Sequence, residues 1–243
     1  LNERVSRDDA LYAIRVNTGV NRAYVPGVLR ADGRLNMPTS ASGMAVNRAL
    51  GFGPDHQNDV YVAEPAANVV VRLVMRSEEA LLTLNATHIR YPDSDWRQRE
   101  FLASTDERFR PVSLGFGPDG ALYILDFYRG IIQDHVFISE QLRAQVVDRK
   151  LARPPGMGRL WRIVPEQADD SDSPVAPDTT SGMDLGAASN SVLVETLGHS
   201  NGWYRDTAQR LLLARPGKRV DRLLTAALRG KAGKAGAPGG SET

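Results

Sequence analysis

The chain has 243 residues, 42% of them hydrophobic, so it can bury a substantial core in one large or two modest domains. Thirty Lys and Arg stand against 29 Asp and Glu, and this near-neutral balance removes the global field that would draw the protein onto nucleic acid or an anionic membrane. It has no cysteine, which excludes disulfides, thiolate metal sites and covalently attached c-type haem within this chain, and no apolar run reaches the roughly 18 residues of a bilayer span.

In chain order, the first clear element is a hairpin. Leu50-Gly-Phe-Gly-Pro-Asp55 is a turn sequence, and Val60-Tyr-Val-Ala-Glu64 after it has the β-branched and aromatic content of a strand. Val69 to Val74 reads as a third strand. The same six-residue turn recurs at Leu114 to Asp119, followed by Leu122-Tyr-Ile-Leu-Asp126 and a third strand at Arg159 to Val164, with Arg72 and Arg162 similarly placed. Repeated units of three short antiparallel strands predict a mainly β fold, a partial β-propeller over residues 1–165. The two copies differ where Gly130 to Met157 is inserted. Within that insertion Ser139 is a helix cap, and Leu142, Val146 and Val147 have helical spacing. Such a rim insertion shapes a binding face or covers a sheet edge.

Residues 166–190 are rich in Asp, Ser, Pro, Thr and Gly and read as a linker. The apolar period then turns helical. Leu193 and Leu197, then Trp203, Ala208, Leu211 and Leu212, then Val220, Leu224 and Leu228 predict a small α-helical unit over 191–229, the start of a solenoid, with a flexible tail over 230–243.

Several stretches together resemble a family. Asn17 to Gly27, Asp59 to Arg72, Arg99 to Val112, Gly117 to Gln133 and Gly158 to Ile163 resemble the membrane-bound dehydrogenase propellers of planctomycete-type bacteria, themselves similar to glucose/sorbosone dehydrogenases. Asn201-Gly-Trp-Tyr-Arg-Asp-Thr-Ala-Gln-Arg-Leu211 resembles the first HEAT-like repeat that follows the propeller there. The resemblance implies a periplasmic or cell-surface redox protein that oxidises a sugar or sugar-derived alcohol. It implies pyrroloquinoline quinone and Ca²⁺ as cofactors, and electron transfer to a quinone or to a c-type cytochrome whose haem lies outside this chain. The alternative is a non-catalytic propeller that binds carbohydrate or protein, with the helices as a docking scaffold.

For such chemistry the cofactor's carboxylates need cations, and Arg108 and Arg110 share a face of an extended segment. The alternative is that they pair with Asp106, Glu107 or neighbouring blades. Tyr128 and Arg129 can stack on a sugar or pack under the insertion. Glu64 and Asp126 end equivalent strands and can bind Ca²⁺ or bond backbone amides. His135 is the only His in the insertion and the candidate base. His56, His88 and His199 fall in turn or linker contexts, and the four show no metal-ligand spacing.

Overall fold

The computed structural model describes residues 10–17, 20–78, 83–95, 97–165 and 182–235. The fold is mainly β, with no closed barrel, and has four α-helices among those residues. One sheet contains β1 (Met44–Val46), β2 (Val60–Glu64), β3 (Val69–Glu78) and β4 (Thr83–Ile89) in that order, with β7 (Leu102–Ala103) sharing the β4 side of β3. The small hairpin of β5 (Tyr91–Asp93) and β6 (Arg97–Arg99) lies between β4 and β7 in the chain. The second sheet is a meander of β8 (Pro111–Phe116), β9 (Leu122–Asp126) and β10 (Arg159–Ile163). Strands β4 to β7 were not legible from the alternation of residues.

The repeat is real in the strands and altered in the turns. Tyr61 pairs with Arg72 across β2 and β3, and Tyr123 pairs with Arg162 across β9 and β10. Each arginine also reaches back to a carboxylate before its Tyr, Arg72 Nε to Asp59 at 2.6 Å and Arg162 Nε to Asp119 at 2.7 Å. The identical six-residue stretches, however, differ locally: Leu114 to Phe116 lie within β8, whereas Leu50 to Phe52 follow the end of β1. The extra residues His56 to Asp59 lengthen the first turn, and buried Asn47 closes it. Its backbone exchanges hydrogen bonds with Asp59 and Asn58, and its Nδ2 donates to the His56 carbonyl at 2.9 Å.

The two sheets share one core. On β9 the alternation buries Leu122, Ile124 and Asp126, and the two apolar residues meet Tyr61 and Val70 of the first sheet. Phe52, Phe101 and Phe116 ring this cluster, with Phe52 edge-on to Phe116 at 5.8 Å. The two repeated turns touch through Gly51 and Gly120, where a Cβ on Gly51 would lie 2.5 Å from the Gly120 carbonyl oxygen. Leu11, Leu35 and neighbours of the N-terminal segment form a second core against Val69 and Val71 of β3.

The insertion carries α1 (Glu140–Asp148), capped by Ser139 Oγ, which accepts from Leu142 N. Only Leu142 of the expected apolar face is buried; Val147 is exposed. Ser139 also bonds Asn21, so the insertion is fastened to the N-terminal segment. At the C-terminal end are α2 (Asn190–Thr196), α3 (Gly202–Ala214) and α4 (Lys218–Ala235), packed on Leu193, Tyr204, Ala208, Leu212 and Val220. Leu185, expected in the linker, is buried in this helical core. Residues 166–181 of that linker lie outside the described residues. The helix α4 continues through Ala235 into the segment expected as tail, of which 236–243 also lie outside them. Asn201 joins the parts: its Oδ1 accepts from Trp203 N at the start of α3, and its Nδ2 donates to the carbonyls of Gly117 and Pro118 in the β8–β9 turn.

The turn contact generates a paired expectation. Gly51→Ala collides with Gly120 and should cost about 2 kcal/mol, read from the denaturant midpoint. Gly115→Ala, which meets nothing within 4 Å, should leave the midpoint unchanged or raised.

Candidate functional site

The lengthened first turn brings His56 beside the Tyr61–Arg72 pair, and Arg72 becomes the centre of a polar network. Its Nε donates to Asp59 Oδ2, its Nη2 to the Asp55 carbonyl at 2.5 Å and its Nη1 to Tyr91 Oη at 3.0 Å. Nη1 also lies 3.3 Å from His56 Nε2. A guanidinium only donates, so Nε2 accepts and the imidazole proton sits on Nδ1, which donates to Tyr61 Oη at 2.6 Å. Burial lowers the His56 pKa and nearby Arg72 lowers it further, which keeps the ring neutral near pH 7. Burial also pushes the Tyr61 phenol up. On Arg72 burial pulls down, but hydrogen bonds to Tyr91 and Asp59 outweigh it and the guanidinium is held above its usual range.

This network borders a cleft of about 570 Å³. Phe52 and Phe101 supply aromatic wall; His56, Tyr91, Arg99 and Glu100 bring polar groups to it. Glu100 is buried and held from two sides. Oε1 accepts from Tyr12 N at 2.8 Å, and Oε2 lies 2.6 Å from His88 Nε2. His88 Nδ1 accepts from Arg90, so Nε2 carries the proton given to Glu100. The cleft thus combines flat apolar rings with a phenol and a neutral imidazole, with the Glu100 carboxylate buried behind them, a set suited to a small hydroxylated molecule with an apolar face.

The residues singled out from the sequence lie elsewhere. Arg110 is buried, and its Nε, Nη1 and Nη2 donate to the carbonyls of Arg129, Pro65 and Gly130 at 3.0, 2.7 and 2.8 Å. Burial lowers its pKa to about 10, with repulsion from Arg15 adding to the effect, yet it stays charged near neutrality. Arg108 donates to the carbonyls of Lys150 and Arg153 and so pins the end of the insertion. Both arginines act as clamps on this chain's own backbone, in place of the expected cofactor contacts. Glu107, instead of pairing with them, bridges Arg15 and Arg149 at 2.6 and 2.7 Å.

Asp126 is likewise occupied. Oδ1 accepts from Arg110 N and Tyr128 N, and Oδ2 from Arg159 and Trp161 Nε1. Tyr128, at φ 46°, lies under the Arg159 guanidinium at 3.6 Å, while the Arg129 guanidinium lies 5.7 Å from the Phe127 ring. Glu64 is buried in the first sheet, its carboxyl pushed up by burial and partly offset by hydrogen bonds from Ser40. His135 is exposed beside Asp134 in a short 3₁₀ turn, His135–Phe137. Among the described residues no three His, Asp or Glu side chains are grouped as a cation would need. Arg108, Arg110, Glu64 and Asp126 thus each have hydrogen-bond partners within this chain. Sequence reasoning passed over His56, Tyr91 and Glu100. His56 carried one usable signal, since it opens the insertion that distinguishes the two repeated turns.

Residues 4–167 match the model of a family described as "Domain of unknown function (DUF7133)". No curated protein matches the chain. A solved structure titled "glucose dehydrogenase" is similar at 21% identity over 35% of this chain, with a TM-score of 0.25. The chain spans 21% of that structure's length.

Two expectations follow from the hydrogen bonding. Arg110→Ala strands two buried carbonyls and the part-buried carbonyl of Arg129 and should destabilise the fold by about 3 kcal/mol or more, whereas Arg108→Ala should cost about 1 kcal/mol or less, both measured by urea unfolding. The depressed His56 pKa means that stability is full above the unfolded value of about 6.5 and is lost as pH falls below it. His56→Gln should flatten that part of the slope between about pH 7.5 and about pH 5.

Proposed function

We infer that this chain, which belongs to the family described as a domain of unknown function (DUF7133), is part of a dehydrogenase-like β-propeller protein that oxidises a sugar or sugar-derived alcohol and passes the electrons to a quinone or c-type cytochrome. On this reading the two meanders are neighbouring blades, the helices are HEAT-like, and the protein works in the periplasm or at the cell surface. The observation that supports it best is the cleft beside His56. Oxidation of an alcohol needs a base for the hydroxyl proton, and His56 is neutral with its proton on Nδ1. Nε2 is the available acceptor: its 3.3 Å contact with Arg72 is long, so a substrate hydroxyl can take that place. Phe52 and Phe101 would cover the apolar face of the sugar, beside the Tyr91 phenol. The electron acceptor needs ligands other than Arg108 and Arg110, and we derive no step through it.

The commitment of Arg108 and Arg110 to backbone carbonyls favours a second reading, a non-catalytic propeller and helical scaffold that binds carbohydrate or protein.

An assay of the full-length protein separates them. With pyrroloquinoline quinone, Ca²⁺ and an artificial dye as acceptor, aldoses or alditols should drive dye reduction, and His56→Ala should slow it about 100-fold or more while sugar binding persists. Calorimetric sugar binding without turnover would favour the scaffold, and absence of both would refute the cleft's assignment.

A further inference from the structure

A groove separate from the His56 cleft lies between β1 and α3, with a volume of about 570 Å³. Val46 and Phe116 supply its β wall, Trp203 its helical wall, and Arg48 and Asp206 its polar edge. Trp203 is 36% exposed, an uncommon place for the largest apolar ring. Its ring is steadied edge-on to the buried Tyr204 ring, at 5.1 Å and 82°.

The polar edge is held as firmly as the ring. Arg48 Nη1 donates to Asp206 Oδ1 at 3.2 Å and its Nη2 to Oδ2, so the two side chains form a two-bond, fork-to-fork pair. The Arg48 backbone is fixed because Gly202 N donates to its carbonyl at 2.8 Å. The fit is close enough that a Cβ on Gly202 would lie 2.7 Å from Arg48 Cβ. Asn201 anchors the same corner to the β8–β9 turn. The Arg48–Asp206 pair is half exposed, and an ion pair in water contributes about 0–1 kcal/mol, so stability alone gives little reason to build it this rigidly.

We propose that this groove is a saccharide-binding site that stacks a neutral sugar ring on Trp203 and hydrogen-bonds its vicinal hydroxyls to the Arg48–Asp206 pair. The chemistry points to a neutral saccharide. The pair offers donors and acceptors side by side, matching two adjacent hydroxyls, and its own charges cancel. The indole face and the Val46–Phe116 wall suit the C–H face of a pyranose. Arg210 at the edge supplies one further donor. The groove is open, so it takes a section of a chain and leaves both ends free. The site goes beyond the oxidation reading and does not depend on it, because it shares no lining residue with the His56 cleft; Phe116 touches that cleft only through its edge-on contact with Phe52.

The test is a calorimetric titration of the full chain with cellohexaose and with maltohexaose, comparing wild type, Trp203→Ala, Asp206→Asn and the cleft variant Tyr91→Phe. Thermal melts would establish that each variant is folded. The expected result is saturable binding of one hexasaccharide, weakened about tenfold or more by Trp203→Ala and by Asp206→Asn and unchanged by Tyr91→Phe. Failure of both hexasaccharides to bind overturns the proposal. So does binding that survives both groove variants; if Tyr91→Phe then weakens it, the ligand belongs to the cleft and the cleft reading stands.

Discussion

The structure depends on a junction at which one carboxylate and one guanidinium hold three segments of backbone. Asp126 ends β9 and gathers the backbone amides of Arg110 and Tyr128 together with Arg159 and the Trp161 indole. Arg110, positioned by that bond, then reaches Pro65 beyond the first sheet and Arg129 and Gly130 at the root of the insertion. A buried charge is costly unless its hydrogen-bonding capacity is met, and here the two groups meet it largely through backbone. The first sheet, the second sheet and the insertion are tied at one point. The Arg108 clamp on Lys150 and Arg153 and the Glu107 bridge between Arg15 and Arg149 extend the same junction toward α1 and the N-terminal segment.

Much of the architecture was legible because it is local or repeated. The strands β2, β3, β9 and β10 declare themselves by β-branched and aromatic content, and the matched positions of Arg72 and Arg162 reflect a cross-strand register with Tyr61 and Tyr123. Ser139 and the helical spacing after Leu193 behaved as their local chemistry requires. The turn was misleading for a physical reason: identical residues lie in a strand in one copy and in a loop in the other, because buried Asn47 closes a longer connection.

The candidate site was the least legible part, since its residues are assembled from distant segments. Glu100 is held by Tyr12 and His88, and Arg72 joins His56 to Tyr91. No spacing announces such contacts. Conversely, the arginine-rich run around Arg110 looked like a ligand-binding strip because charge density is visible in a sequence, whereas the carbonyls that consume it are not. Arg48 and Asp206 illustrate the same limit, as their pairing requires the helical unit to dock on the β units through Asn201 and Gly202.

The two sheets share the Tyr61–Ile124 core and the Asp126–Arg110 junction and so should behave as one cooperative body. Native-state hydrogen exchange of the full chain tests it most directly, by comparing amides of β2 at 60–64 with those of β9 at 122–126. Both strands should exchange only through the same global opening, with equal free energies and equal dependence on denaturant. If one strand opened at a much lower free energy while the other stayed protected, the sheets would be separate units and not one cooperative body.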